Sequence, residues 1–211
     1  MTDYSILGRA IESGIIDIQT YNIRDYGQGK RKQVDDTPFG GGAGMVLKAD
    51  VMDKAIQKVK EENPGTKVIL LTPKGEKYSQ KKAGELSKKK NITLISGHYE
   101  GFDERIRSFV DEEVSIGDYI LTGGELAAVA VVDSVSRLIP GVLGKEESLA
   151  KESFEENLLE YPQYTQPREY GGMEVPEILL SGNHAAIERW RREQAEKITR
   201  KRRKDLFENN Q

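Results

Sequence analysis

The fold of this chain is decided by one stretch, Ser115-Ile116-Gly117-Asp118-Tyr119-Ile120-Leu121-Thr122-Gly123-Gly124-Glu125. The apolar run Tyr119–Leu121 predicts a short strand, and the glycine pair after it predicts a tight turn into a helix that begins at Glu125. Strand, glycine turn and helix in this order are typical of α/β proteins, which bind ligands at the carboxyl ends of their strands. Because paired glycines lack side chains, the backbone can approach a ligand closely at such a turn.

Two further corners of the same kind lie upstream, at Leu70–Gly75 and Ile95–Gly101. Each follows a short apolar run, Val68–Leu71 or Ile92–Ile95, that predicts a buried strand. Nearly continuous apolar strands that alternate with helical patterns indicate a largely parallel sheet covered by helices. Three strand exits of this kind predict one ligand that is held mostly by backbone.

The remaining periodicity predicts the other elements of the first part of the chain. Apolar residues at helical spacing predict one helix that Gly14 ends, one that Asp50 caps, one at Gln80–Lys89 and one at Glu125–Arg137. The run Ile15–Ile23 predicts a further strand. A glycine-rich segment follows at 40–44, with two open interpretations: a nucleotide-binding loop or a flexible surface loop.

Composition excludes several classes of protein. The 211 residues are 32% charged and 36% hydrophobic, as in a globular chain, and none is cysteine, which excludes disulfides and thiolate chemistry. The longest apolar run, Leu126–Val132, is too short to span a bilayer, and the first residues do not resemble a signal peptide. We therefore expect no membrane association and a cytoplasmic location. The two histidines lie far apart in sequence, which argues against a histidine-based metal site.

Charge is distributed unevenly along the chain. Residues 183–204 contain nine Lys or Arg and three Glu, whereas the whole chain has a net charge of −3. A basic segment on an acidic body predicts a polyanionic partner, nucleic acid above all. The predicted organisation is a ligand-binding domain at 1–154, an interdomain linker at 155–175 that contains two prolines, and a basic helical domain at 176–211.

One arginine on the helix that leaves the glycine pair is a candidate for catalysis. Asp133 and Arg137 are four residues apart, so they are neighbours on one face of a helix that is otherwise apolar. An arginine beside a ligand crevice is suited to stabilising an anion. Neither a P-loop nor a G-x-G-x-x-G motif is present, so the sequence does not support the common kinds of phosphate binding.

Long ordered runs of residues resemble the bacterial tRNA (guanine-N1)-methyltransferases, and the resemblance extends from about Thr2 to about Arg192. The runs that carry it are Val34–Met45, Gly97–Arg105, Ser115–Tyr119, Gly123–Leu126, Asp133–Arg137, Pro140–Gly144 and Leu179–His184 with Trp190-Arg191.

The resemblance implies a SPOUT-type α/β fold with a parallel sheet and a deep trefoil knot, plus a small all-helical C-terminal domain that binds tRNA. It also implies a homodimer, and S-adenosylmethionine bound in the knot. The implied product is N1-methylguanosine directly 3′ of the anticodon. Magnesium dependence is a family trait, but no magnesium site is recognisable in the sequence. Relatives begin with a short apolar strand before the equivalent of Thr2, so the resemblance implies that this first strand is absent here.

Functional residues carry over from the family at matching positions. The methyl-donor contacts are implied for Leu70, Leu71, Thr72, Pro73, Gly75, Gly97, Tyr99, Glu100, Gly101, Ser115, Ile116, Gly117, Tyr119, Leu121, Gly123 and Gly124. The implied catalytic residues are Arg137, which stabilises guanine O6, and Glu152, the general base. The family has an aspartate where this chain has Glu152, and many relatives have an arginine where this chain has His98.

Three other functions remain open from the residues. The first is a SPOUT RNA methyltransferase with another target atom, such as a ribose 2′-hydroxyl. The second is a tRNA-binding relative without catalytic activity. The third, a generic nucleotide-binding protein with a basic tail, is weakened because common phosphate-binding motifs are absent.

Overall fold

The computed structural model describes residues 5–143, 153–154 and 157–208. The chain divides into two compact units, Met1–Gly144 and Lys145–Gln211. The predicted division at 1–154, 155–175 and 176–211 stays a prediction.

The first unit contains a short antiparallel hairpin, β1 (Asp35–Asp36) and β2 (Val46–Leu47), and is built around three parallel strands. They are β3 (Lys67–Lys77), β4 (Ile92–Ile95) and β5 (Glu112–Ser115), in the order β4-β3-β5. Leu70 pairs with Ile95 on one side and Leu71 lies opposite Val114 on the other; the β3–β5 register then shifts between Leu71 and Glu76. The α/β class, the parallel sheet and the two upstream strands are therefore confirmed, whereas the knot stays a prediction.

Helices cover both faces of this sheet. They are α2 (Ala49–Glu62), α3 (Gln80–Leu86) and α4 (Glu125–Ser136), whereas α1 (Ser5–Glu12) lies near the end of α4. Successive residues of a strand point to opposite faces, so β3 contributes Val68 and Leu70 to the cluster with α2, and Ile69 and Leu71 to the cluster with α3 and α4. The central strand is buried on both sides, which explains its continuous apolar sequence.

Two strand predictions are wrong. Residues 119–121 are irregular, and the strand that leads to the glycine pair is β5, which ends at Ser115. The apolar side chain of Ile120 is 82% exposed rather than paired in the sheet. Residues 15–22 form no strand either; Asn22 there caps a 3₁₀ helix at Ile23–Tyr26 by accepting a hydrogen bond from the Arg24 N–H.

Helix ends also differ from the sequence prediction. The N-cap of α2 is Lys48, which makes no side-chain capping bond, so the prediction that Asp50 caps this helix is wrong. Asp50 lies in the first turn, where a carboxylate interacts favourably with the helix dipole. Helix α3 ends at Leu86 rather than Lys89, and α4 ends at Ser136 with Arg137 as its C-cap.

The second unit contains a short hairpin followed by helices. Strands β6 (Glu169–Tyr170) and β7 (Met173–Glu174) are antiparallel, and α5 (Glu177–Leu180), α6 (His184–Arg202) and α7 (Asp205–Glu208) follow. The side chain of Asn183 caps α6 by accepting from the Ala186 N–H. No helix in the described parts of the chain combines the length and the apolar character needed to cross a membrane.

One buried hydroxyl connects helix α6 to the extended segment before the hairpin. Thr199 is fully buried; its hydroxyl donates to the Ala195 carbonyl at 2.7 Å and accepts from the Leu159 N–H at 2.8 Å. Thr199→Val keeps the shape but leaves the Leu159 N–H without its acceptor. We expect the free energy of unfolding to fall by about 1–3 kcal/mol, measured by urea denaturation. Thr199→Ser keeps the hydroxyl and is the control; an equal loss in both variants would contradict this role.

Candidate active site

A cavity of ≈ 370 Å³ opens in the first unit where β4 and β5 end and where β3 shifts its register. Its volume falls within the range of small-molecule sites, about 300–1,000 Å³. Three chain segments line it, at 70–74, 97–104 and 113–124, together with Arg107 and with Ala127 of α4. The cavity therefore occupies the position at which open α/β sheets bind ligands.

The structure brings almost all the residues expected to contact the methyl donor together around this cavity. The exception is Gly75. A Cβ atom at Gly75 would collide with the backbone of Glu113 and Val114 in β5, so this glycine is required where β3 and β5 pass closely. The expected donor-contact residues that do line the cavity are Leu70, Leu71, Thr72, Pro73, Gly97, Tyr99, Glu100, Gly101, Ser115, Ile116, Gly117, Tyr119, Leu121, Gly123 and Gly124.

Direct backbone contact joins two of the three segments. The Gly124 N–H donates to the Gly97 carbonyl at 2.8 Å. A Cβ atom at Gly124 would lie 2.7 Å from the Gly97 nitrogen and 2.8 Å from the Ser96 Cα. Because real Cβ atoms do not approach backbone so closely, glycine is required here for packing between loops.

A side-chain bond reinforces the same junction. His98 Nε2 lies 2.5 Å from Glu125 Oε1, and both side chains are about half exposed. A Cβ atom at Gly123 would lie 2.8 Å from His98 Cε1, so the glycine pair also makes room for this contact. The pair ties the loop after β4 to the first turn of α4.

Substitution of His98 tests this tie. We expect His98→Ala to weaken binding of S-adenosylhomocysteine about two- to five-fold, the effect of losing one exposed hydrogen-bonded pair. Isothermal titration calorimetry measures it. Glu125→Gln and the double variant complete a mutant cycle, in which the second change should add little to the first. If the losses of binding free energy in the two single variants add up in the double variant, His98 and Glu125 do not act together.

Arg137 lies at the other end of α4 from the glycine pair. The helix has 12 residues, so its two ends are about 18 Å apart. Arg137 lines a smaller cavity of ≈ 110 Å³ and is not among the residues that line the larger one. The smaller cavity is lined by Ile6, Leu7, Asp133, Ser136, Arg137, Val142 and Leu143. Asp133 and Arg137 thus share one site, whereas the structure does not bring Arg137 to the residues expected to bind the donor.

Glu152, the expected general base, lies outside the described residues. The two residues after it belong to the second unit: Ser153 Oγ accepts from the Glu160 N–H at 3.0 Å, and the Arg203 guanidinium lies 5.6 Å from the Phe154 ring centroid. In the same unit, the Arg191 guanidinium lies 4.9 Å from the Tyr161 ring centroid. Glu160 and Tyr161, which belong to the expected linker, thus contact residues outside it.

Comparison with known proteins identifies the family. Residues 1–209 match the family described as tRNA (Guanine-1)-methyltransferase TrmD. The chain belongs to this family. The resemblance found in the sequence is thereby confirmed over nearly the whole chain.

Individual relatives are similar over most of their length. A protein of Clostridium botulinum (strain Eklund 17B / Type B) is 56% identical over 207 residues, which cover 98% of this chain and 87% of the relative. One of Clostridioides difficile (strain 630) is 55% identical over 210 residues, covering 97% and 90%. One of Dictyoglomus turgidum is 53% identical over 206 residues, covering 98% and 83%. All three are named tRNA (guanine-N(1)-)-methyltransferase.

The larger cavity fits S-adenosylmethionine, the cofactor that membership of the TrmD family implies. Apolar side chains line one part and suit an adenine ring, among them Leu70, Ile116 and Leu121. Gly101 lines the cavity with a φ of +117°, and a Cβ atom there would meet nothing within 4 Å. That open space beside bare backbone is where a ligand can approach the main chain closely.

Several charged side chains in the wall of the cavity were not predicted from the sequence as part of the site. Arg107 donates to Glu104 and to Glu113, each at 2.5 Å, and Lys74 lies 3.6 Å from Glu104. The hydrogen bond from Arg107 holds the pKa of the Glu104 carboxyl below its usual value. The hydrogen bond from Arg105 does the same to the pKa of Asp103. The close spacing of Glu104 and Arg107 in the sequence is a signal for their ion pair. Glu113 and Lys74 belong to other segments, so the sequence gives no comparable signal for their contacts.

The structure adds no support for a magnesium site in this TrmD-family chain. Within residues 5–143, 153–154 and 157–208, no group of three or more His, Cys, Asp or Glu side chains could hold a metal ion. Three acidic residues of the wall, Asp103, Glu104 and Glu113, are instead paired with arginine or lysine.

Proposed function

We propose that this chain transfers a methyl group from S-adenosylmethionine to N1 of the guanosine directly 3′ of the anticodon in tRNA. The family match over residues 1–209 carries the proposal. The cavity supports it, because bare backbone and apolar side chains surround a space of suitable size at the strand ends.

Proton removal is the first chemical requirement. Neutral guanine has a hydrogen at N1 and no free lone pair there, so the proton must leave as the new bond forms. Glu152 is the proposed base, because a carboxylate can accept this proton near neutral pH. Glutamate is one methylene longer than the aspartate of the family, and a shift of about 1 Å in such a group can cost roughly 10²-fold in rate. The segment around Glu152 must therefore position the longer side chain.

Charge stabilisation is the second requirement. Loss of the N1 proton places negative charge on guanine O6, and Arg137 is the proposed partner because a guanidinium stays protonated at any physiological pH. Since Arg137 does not line the larger cavity of its own chain, it would reach the guanine from the second copy of the proposed homodimer. When bound, S-adenosylmethionine supplies an electrophilic methyl group. The chain contributes the loops that orient this group and exclude water from it.

The second unit provides the proposed tRNA contacts. Helix α6 ends with Arg200, Lys201 and Arg202, all exposed. Such side chains bind phosphates without reading sequence, and the binding weakens as salt is raised. Since tRNA is the proposed substrate, we also place the enzyme in the cytoplasm.

A homodimer is proposed from the exposed face of α4. The helix is apolar along most of its length, yet Leu126 is 49% exposed and Ala130 is exposed one turn further on. Ile120, just before the helix, is 82% exposed. A second copy of the chain would cover this surface. A SPOUT-type knot is proposed from the family alone, whereas the linker at 155–175 and the basic helical domain at 176–211 are proposed from the prolines and the clustered Lys and Arg of the sequence.

The decisive experiment uses purified protein, labelled S-adenosylmethionine and unmodified tRNA transcripts with or without the guanosine 3′ of the anticodon. We expect one methyl group per transcript with the guanosine and none without it, with N1-methylguanosine identified by mass spectrometry. Methylation of another atom would indicate a different SPOUT specificity. Donor binding with no transfer to any transcript would indicate a tRNA-binding relative without catalytic activity.

A further inference from the structure

A hydrogen-bonded turn holds one aromatic side chain fully exposed to solvent. Strands β1 (Asp35–Asp36) and β2 (Val46–Leu47) form an antiparallel hairpin, and Pro38–Gly41 make a turn in its loop, closed by the Gly41 N–H and the Pro38 carbonyl at 3.2 Å. Gly40, at the third position, has a φ of +88°, as a type II turn requires. Phe39 occupies the second position and is fully exposed, with a relative exposure of 102%.

The base of this hairpin is fastened to the cavity. The Leu47 N–H donates to the Gly101 carbonyl, and the Asp103 N–H donates to the Leu47 carbonyl, both at 3.0 Å. The Glu100 N–H donates to the Met45 carbonyl, also at 3.0 Å, and Leu47 is fully buried. Glu100, Gly101 and Asp103 all line the larger cavity. The base of the hairpin therefore lies at the rim of the proposed methyl-transfer site.

Single exposed apolar residues are common on protein surfaces, but Phe39 is held by a turn and a hairpin that are both hydrogen-bonded. Its turn is closed by the hydrogen bond from the Gly41 N–H to the Pro38 carbonyl, and the hairpin beneath it is hydrogen-bonded to the cavity rim. A preorganised ring loses little conformational freedom when a ligand stacks on it. Residues 33–47 contain Asp35 and Asp36 and no Lys or Arg, so this element suits a base rather than a phosphate.

We propose that Phe39 is a stacking platform for a nucleobase of the substrate RNA next to the methylated guanosine. The proposal rests on the proposed function, and it adds a base-binding subsite on the hairpin to the phosphate contacts of the second unit. Stacking suits this role because every base presents an aromatic face, so the contact holds the RNA without reading its sequence.

Three variants of Phe39 test the platform. Phe39→Ala should raise the KM for tRNA about 5- to 150-fold, the range expected for losing one base–aromatic stack. Phe39→Trp should retain a KM near that of the wild type. Phe39→Leu keeps apolar bulk without a ring and should resemble Phe39→Ala. The affinity for S-adenosylhomocysteine, measured by calorimetry, should not change in any variant, which also shows that each one is folded.

A second readout separates this inference from the proposed function. Anticodon stem-loops with 2-aminopurine beside the target guanosine should lose fluorescence on binding the wild type and lose much less on binding Phe39→Ala. Quenching without methyl transfer would keep the platform and overturn the proposed function. Normal tRNA kinetics and quenching in Phe39→Ala would overturn the platform alone. Dissociation of a dimer by Phe39→Ala, seen by light scattering, would assign the ring to a second copy of the chain and overturn the platform.

Discussion

Gly124→Ala is expected to weaken S-adenosylhomocysteine binding about 5- to 150-fold, because forcing an extra methyl group into a packed position costs about 1–3 kcal/mol. The added methyl group would lie 2.7 Å from the Gly97 nitrogen and 2.8 Å from the Ser96 Cα. These are backbone atoms, so no side chain can rotate away. The φ of Gly124 is −79°, which alanine tolerates, and the whole effect is therefore steric. The two loops must separate, and the 2.8 Å hydrogen bond between Gly124 and Gly97 is lost.

Calorimetry with S-adenosylhomocysteine measures this loss, and Gly84→Ala is the matched control. Gly84 lies within α3, and a Cβ atom there would meet nothing within 4 Å. Alanine at that position should leave binding unchanged and stabilise the helix by up to about 1 kcal/mol. Circular dichroism should show both variants folded. Binding by folded Gly124→Ala within three-fold of the wild type would mean that the two loops need not touch.

Local signals in the sequence predicted the corners of the cavity. Apolar runs marked Val68–Leu71 and Ile92–Ile95, and the structure places strands at both. Glycines after these runs marked the loops that now line the cavity. A buried strand and a glycine turn are each specified by a few adjacent residues, so both can be recognised without knowing the rest of the fold.

Features that depend on distant residues could not be predicted. Tyr119–Leu121 is as apolar as a strand, but its side chains line a cavity and a surface rather than pairing in the sheet. Ile15–Ile23 likewise has the composition of a strand and no partner among the described residues. Gly75 stays a predicted donor contact, but the sequence does not reveal that the backbone of β5 passes beside it. The structure around each of these residues depends on which distant segment the fold places next to it.

Arg137→Lys is expected to lower kcat for tRNA methylation about 10²- to 10³-fold, the usual effect of removing one donor that stabilises an oxyanion. Lysine keeps the positive charge but loses the planar guanidinium, so the geometry at guanine O6 is not reproduced. Arg137 lines the smaller cavity and not the larger one, so the affinity for S-adenosylhomocysteine should stay within about two-fold of the wild type. Single-turnover assays with saturating tRNA and donor measure the chemical step.

Comparison with Gly124→Ala distinguishes a loss of methyl transfer from a loss of cofactor binding. Gly124→Ala should bind cofactor more weakly, whereas Arg137→Lys should bind cofactor normally and fail in transfer. Arg24→Lys makes the same exchange at an exposed position in the 3₁₀ helix and should leave both quantities unchanged. Near-normal turnover of Arg137→Lys and Arg137→Ala would mean that another group stabilises O6. A parallel loss of cofactor affinity would instead mean that Arg137 acts by holding the loops of the larger cavity, although the whole length of α4 separates it from the glycine pair.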